Sequence, residues 1–188
     1  MIYTTRLTLR APTDDDAVEL NAAMNEVWPE LQQWMSWAAD GQQTLQSTQA
    51  YIAMTKENAQ AGSVPLIGTC KQSGRFVIAS GLDLIEGTKD EYATGYWVSK
   101  DFLGKGYATE STNAVIRYAF GKLNAKKIHI EYYDGNAKSK NVIDKLGFTF
   151  AHTQKDGHIC FADGKPYDIH KYEMTDTSTL ADLEVHWD

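Results

Sequence analysis

Gly104-Lys105-Gly106-Tyr107-Ala108-Thr109 is the segment of this chain whose residue types best suit chemistry. It follows a strand-like run, Gly95-Tyr96-Trp97-Val98, and helical spacing begins inside it. The first turn of a helix leaves backbone N–H groups without intrahelical partners, and the peptide dipoles put partial positive charge at the same end. Together they form an anion site, typically for phosphate. The two glycines let the main chain approach a phosphate without a Cβ in the way, and Lys105 adds a mobile positive charge. A plain strand–helix connection with two turn glycines explains the same residues without a ligand, because short glycine motifs recur by chance. Two phosphate motifs are excluded. The P-loop needs Lys-Ser/Thr around its last glycine, where this chain has Gly106-Tyr107-Ala108. The dinucleotide fingerprint needs a third small residue, where this chain has Thr109.

Further groups lie downstream. Asn136 and Ser139 open a short helical pattern, Asn136 as a helix cap and Ser139 in the first turn. His129, Glu131 and Tyr133 share one face of a strand; without a fourth ligand nearby no metal site is expected from them. His158 titrates near neutrality and suits a general base, although a lone histidine is more often structural. Trp28, Trp34 and Trp37 are dense for one short segment, and tryptophans so placed are usually core.

The elements that position these groups follow from periodicity. Leu7 and Leu9 alternate in an opening strand over Arg6–Arg10. Thr13 with three aspartates starts a helix running to about Asn25, and Pro29 starts a second, short one. A third helix spans Ser47–Ala61. Leu66–Cys70 and Phe76–Ala79 form a hairpin around Ser73-Gly74, its second strand continuing through Leu84, and Tyr92–Val98 is the next strand. Ala108, Thr112, Val115, Ala119 and Leu123 recur at helical spacing. A half-buried strand over Lys127–Tyr133, a helix over Ala137–Leu146 ending at Gly147, and strands over Phe148–Lys155 and Tyr167–Thr175 complete the order. The order predicts an α+β layered fold with a mixed sheet, in one domain over residues 1–175. Residues 176–188 are expected as a polar tail, mobile up to Trp187.

Composition sets the outer bounds. The 188 residues suit one domain with a substantial core. No apolar run reaches membrane-span length, and Met1–Arg6 lacks the basic region and apolar core of a signal peptide. A cytoplasmic protein, off the membrane, is expected. Cys70 and Cys160 lack metal-type spacing. Net charge is −7 with no basic patch, which argues against direct nucleic-acid binding and is compatible with a cationic acceptor.

The order and spacing of the motifs resemble the GNAT N-acetyltransferase superfamily. Asp101 through Gly106 is close to its Q/R-x-x-G-x-G/A pyrophosphate loop, with Asp101 at the Gln/Arg position. Asn136–Ser139 followed by Lys145-Leu146-Gly147-Phe148 is similar to its N-x-x-S…K-x-G-F segment. Thr5-Arg6-Leu7-Thr8-Leu9-Arg10, Trp34 with Trp37, and Gly95–Val98 resemble the Rim-type branch, which includes ribosomal-protein N-terminal acetyltransferases. The resemblance covers about Arg6 to Tyr172.

It implies a mostly antiparallel sheet flanked by helices, with two strands splayed around acetyl-CoA as co-substrate and no metal. It places Leu103, Gly104, Lys105, Gly106, Tyr107, Ala108 and Thr109 at the pyrophosphate, and main-chain groups of Trp97, Val98 and Ser99 on the pantetheine. The Val98 N–H would stabilise the thioester oxygen as it gains charge. Asn136 would bond the cofactor or a water. The superfamily's tyrosine acid falls at Ile143, and Ser139 matches the serine thought to act instead in the Rim-type branch. The proposed glutamate base of that branch falls at Cys160, which leaves His158 and Glu131 as candidate bases. Trp34 and Trp37 would line the acceptor pocket. The implied reaction is direct attack by a primary amine on acetyl-CoA. The leading acceptor is a protein N-terminus; a small amine such as a polyamine or amino-sugar, and a non-catalytic CoA-binding module, are the alternatives. A monomer or homodimer is expected.

Overall fold

The computed structural model describes residues 1–39 and 41–188. Two short strands open the chain, β1 (Ile2–Tyr3) and β2 (Leu7–Arg10), with Leu7 and Leu9 buried and their neighbours less so. Arg10 forks onto the Asp16 carboxylate at 2.6 and 2.7 Å, and Thr13 and Asp16 close a capping box. That box launches helix α1 (Ala17–Glu26), followed by α2 (Trp28–Trp34) with Pro29 in its first turn. Thr44 caps α3 (Leu45–Gln60) by accepting from the Ser47 N–H. Strands β3 (Val64–Cys70), β4 (Phe76–Leu84) and β5 (Glu91–Val98) form an antiparallel meander. Helix α4 (Tyr107–Lys122), β6 (Lys127–Tyr133) and α5 (Ala137–Leu146) follow. The hairpin β7 (Thr149–Ile159) and β8 (Pro166–Met174), then β9 (His186–Trp187), end the chain.

One mixed sheet runs β7-β8-β6-β5-β4-β3-β2-β1-β9, with β5–β6 its one parallel pair. Period-2 alternation sends side chains to two separate cores. One core, with Ile78, Leu82, Ile116, Ile128 and Ile143, lies under α4 and α5. The other, with Leu20, Trp28, Ile52, Ile67 and Phe76, lies under α1–α3.

Residues 176–188 correct the expectation of a mobile tail. Leu180 is buried, and Leu183, Val185 and Trp187 pack against the first core. The Ala181 carbonyl accepts from Asn113 at 3.0 Å and Arg117 at 3.1 Å, and β9 pairs with β1. Trp187 lies edge-on to Tyr118 and over Gly121, where a Cβ would sit 2.8 Å from the indole. Leu183, Val185 and Trp187 alternate with Glu184 and His186 at the period-2 spacing of an extended segment, and that spacing turns all three onto the core.

Candidate active site

The parallel pair decides where a ligand can enter. β5 and β6 are in register for three residue pairs, Glu91–Lys127, Tyr92–Ile128 and Ala93–His129, and then separate. Beyond that point β5 stays with β4 as far as Val98, and β6 stays with β8 as far as Tyr133. A cleft of about 490 Å³ opens between them. Tyr96, Val98, Asn136 and Ser139 line it on the α5 side, and Leu31, Trp34, Met35, Glu131 and Tyr133 on the α2 side.

Hydrogen-bond phase fixes which main-chain groups face this cleft. The Ser99 N–H donates to the Val77 carbonyl at 2.8 Å. In an antiparallel ladder bonded and non-bonded pairs alternate. Ala79–Trp97 is therefore a bonded pair, whereas Ile78–Val98 and Ser80–Tyr96 are not. The Tyr96 and Val98 main chain accordingly points toward β6, which has already diverged. This corrects two expected pantetheine contacts: the Trp97 and Ser99 N–H groups are turned to β4. The Ser99 hydroxyl also bonds inward, to the Phe76 carbonyl at 3.2 Å.

The glycine loop meets the cleft through Leu103. Gly104 and Gly106 hold φ of +72° and +81°, a region costly for other residues, and Gly106 caps α4. The Glu110 N–H is the first in α4 to find a helical acceptor, the Gly106 carbonyl at 3.1 Å. The N–H groups of Gly104, Gly106, Tyr107, Ala108 and Thr109 donate to no acceptor among the described residues, while that of Lys105 closes the turn over Leu103 and Gly104. Five free donors in a glycine cradle, with the Val98 N–H turned to the cleft, fit a diphosphate joined to a thioester-bearing arm. The Tyr107 side chain is core, edge-on to Phe102 and 4.0 Å from the Cys70 sulfur, so this residue offers the ligand only its main chain.

Across the cleft, the Asn136 side chain caps α5 by accepting from the Ser139 N–H at 3.0 Å. Ser139 and Tyr96 line the same side of the cleft, with the Ser139 hydroxyl near enough to bear on the ionisation of the Tyr96 phenol. Burial pushes that phenol up to about 12, so it stays protonated and can donate throughout the neutral range. Nothing in the local sequence marks Tyr96 as a site residue; its place follows from where β5 parts from β6. Ile143 is wholly buried.

The acetyltransferase (GNAT) domain family matches residues 6–149. The chain belongs to the GNAT acetyltransferase family. Among similar proteins, the provisionally named ribosomal N-acetyltransferase YdaF of Bacillus subtilis is 34% identical over 80 residues, 43% of each chain. The uncharacterized N-acetyltransferase p20 of Bacillus licheniformis is 26% identical over 178 residues, covering 92% of this chain and 94% of that one. Among solved structures, the ribosomal alpha-N-protein acetyltransferase RimL in complex with coenzyme A superposes with a TM-score of 0.83 at 20% identity. That match covers 92% of this chain and 95% of RimL. The microcin C7 self-immunity acetyltransferase MccE, in complex with acetyl-CoA and AMP, gives 0.80 at 22%, covering 92% and 93%. These likenesses show the GNAT fold.

The α2 side of this GNAT domain carries the charged groups. Glu131 lines the cleft 3.9 Å from the Lys171 ammonium, and His129 bonds Glu91 at 2.9 Å. Glu30 and Asp83 also line it and have no cationic partner among the described residues. Desolvation by the groove walls raises the Asp83 carboxyl above the ordinary aspartate range. Trp34 lines the cleft and reaches across to the edge of Tyr167, with ring centroids 6.2 Å apart.

Three expected positions fall elsewhere. Trp37 is 49% exposed, packs on Trp28, and is absent from the cleft walls. His158 is 5% exposed and stacks on Tyr133 at 3.9 Å, which puts that ring between it and the cleft. Its Nε2 has no hydrogen-bond partner among the described residues, and burial lowers its pKa, both signs of a neutral packed ring. Cys160 anchors a turn: its N–H bonds the Lys165 carbonyl at 2.9 Å and its carbonyl receives the Gly164 N–H at 2.8 Å. Cys70 makes the same two bonds, with Arg75 and Gly74. No His/Cys/Asp/Glu group among the described residues could hold a metal ion, and no described helix is long and apolar enough to cross a membrane.

Proposed function

We propose that the chain transfers the acetyl group of acetyl-CoA to a primary amine by direct attack, and that the acceptor is a protein or peptide N-terminal α-amine. The observation that carries this reading is the cleft itself. It joins an anion cradle and an unpaired strand N–H on one side of the sheet to an acid-bearing groove on the other.

Acetyl-CoA would supply an acetyl group activated as a thioester. The five free N–H groups between Gly104 and Thr109 hold the diphosphate. Val98 and Tyr96 pair the arm through the main-chain groups that β6 leaves unpaired. The Val98 N–H donates to the carbonyl oxygen as it gains charge; donors so placed are worth about 3–4 kcal/mol. A free α-amine has a pKa of about 7.7–8.0, so part of it is protonated at neutral pH and must lose a proton before attack. Glu131, on the acceptor side, accepts that proton directly or through one water. As the carbon–sulfur bond breaks, the thiolate leaves with its electron pair, stabilised by donation from Tyr96 and Ser139, and takes up the second proton that the attacking nitrogen sheds in becoming an amide.

An N-terminal acceptor is supported by the half-apolar groove, with Trp34 and Leu31 beside Glu30 and Glu131. The activities named for RimL and YdaF point the same way. A small polyamine or amino-sugar is the second reading, favoured by the unpaired Glu30 and Asp83 carboxylates. Thiol release from acetyl-CoA, followed with a panel of N-terminal peptides, polyamines and aminoglycosides, tests both. Turnover with peptides is expected; turnover confined to small amines puts the second reading in its place.

A further inference from the structure

Arg6 is the side chain most heavily engaged with the glycine loop, although it lies about a hundred residues upstream. Its Nε meets the Glu110 carboxylate at 2.6 Å, and its Nη1 donates to the Lys105 carbonyl at 3.0 Å. The guanidinium lies 4.1 Å over the Tyr107 ring. Its Nη2 would sit 3.6 Å from a Cβ at Gly106. The other Glu110 oxygen accepts from the Thr4 hydroxyl at 2.6 Å and the Arg6 N–H at 3.1 Å.

Two consequences follow. A trans peptide carries its C=O and N–H on opposite sides, so holding the Lys105 carbonyl turns the Gly106 N–H away from the guanidinium. The Glu110 carboxylate lies in the first turn of α4, where it favours the helix dipole but repels any anion bound to the same N-terminus. Arg6 cancels that charge.

We propose that Arg6 is a positioning residue for diphosphate binding, holding the Lys105–Gly106 peptide and neutralising Glu110 so that the α4 N-terminus accepts a polyanion. This rests on the proposal that the loop binds CoA, and the test separates the two.

CoA binding is measured by calorimetry on the full chain. Turnover is measured with acetyl-CoA and with acetyl-pantetheine, which has the thioester arm but no diphosphate. Failure of the wild-type chain to bind CoA overturns the underlying reading. If it binds, Arg6→Gln should weaken CoA at least tenfold while leaving kcat/KM for acetyl-pantetheine within twofold. Glu110→Gln in the same chain should restore most of the lost affinity, because Gln keeps the acceptor for Thr4 and drops the charge. Arg6→Lys, with the charge but not the fork, should fall between. Unchanged CoA affinity in Arg6→Gln overturns the proposal. So does an equal loss with both donors, which marks a merely structural role, and so does a double variant no tighter than Arg6→Gln. Should Arg6→Gln fail to fold, Arg6→Lys compared on the two donors decides by the same criteria.

Discussion

Tyr96 and Ser139 line the same side of the cleft, one on β5 beyond its last pair with β6 and the other in the first turn of α5. The pair brings two hydroxyls to the point where the proposed reaction releases a thiolate. Tyr96→Phe should lower kcat about tenfold and leave the KM for acetyl-CoA within about twofold, the pattern of an interaction made mainly in the transition state. Ser139→Ala should act in the same direction. The double variant should lose less than the product of the two single losses, because the groups are coupled. Additive losses would show that they work separately.

Gly95 offers a test that leaves the fold alone. It lies beyond the last β5–β6 pair and lines the cleft, and a Cβ there would meet nothing within 4 Å. Gly95→Leu should therefore be tolerated in the strand while projecting into the acceptor's path. The expected result is unchanged acetyl-CoA affinity with acceptor KM raised at least tenfold, about 1.4 kcal/mol. An acceptor KM equal to wild type would move the acceptor elsewhere.

Trp34 and Trp37 should separate. Trp34→Ala opens the groove wall and should raise the peptide KM several-fold without changing acetyl-CoA affinity. Trp37→Ala, away from the cleft, should leave both constants within twofold. Reversed effects in steady-state kinetics would reinstate Trp37 as a pocket residue.

The two tryptophans illustrate what the sequence could and could not show. Lys127–Tyr133 and Ala137–Leu146 have the predicted bounds, because period-2 alternation and a cap–glycine pair mark them plainly. β1 has two residues, too few for any period, and its pairing with β9 joins termini that are far apart in sequence. The glycine loop was legible because its chemistry is local. Which strand N–H groups face the cleft was not, since that depends on the β4–β5 register, and a one-residue change of phase exchanges Val98 for Trp97. His158 and Glu131 are both candidate bases from residue type; only packing shows one behind the Tyr133 ring and the other in the cleft.

His158 also predicts a pH dependence of stability. Burial lowers its folded pKa below the ordinary value, so between the two values the unfolded chain binds more protons. Stability should therefore fall as pH drops through about 6.5 and go on falling until the folded value is passed. His158→Phe removes the titrating ring and keeps an aromatic partner for Tyr133. The fall in Tm between pH 7.5 and 5.5 should be smaller for the variant than for wild type. Equal falls would mean that His158 titrates alike folded and unfolded.

The central claim is that acetyl-CoA lies in the β5–β6 gap with its diphosphate on the glycine loop. Amide chemical shifts recorded while CoA is titrated into the labelled chain test it most directly. The account predicts that the largest changes fall on Gly104, Gly106, Ala108 and Thr109 in the loop and on Tyr96 and Val98 in the gap, with Trp97 and Ser99 moving less because β4 already holds their N–H groups. Saturable shifts confined to other surfaces, or none at all, would contradict it.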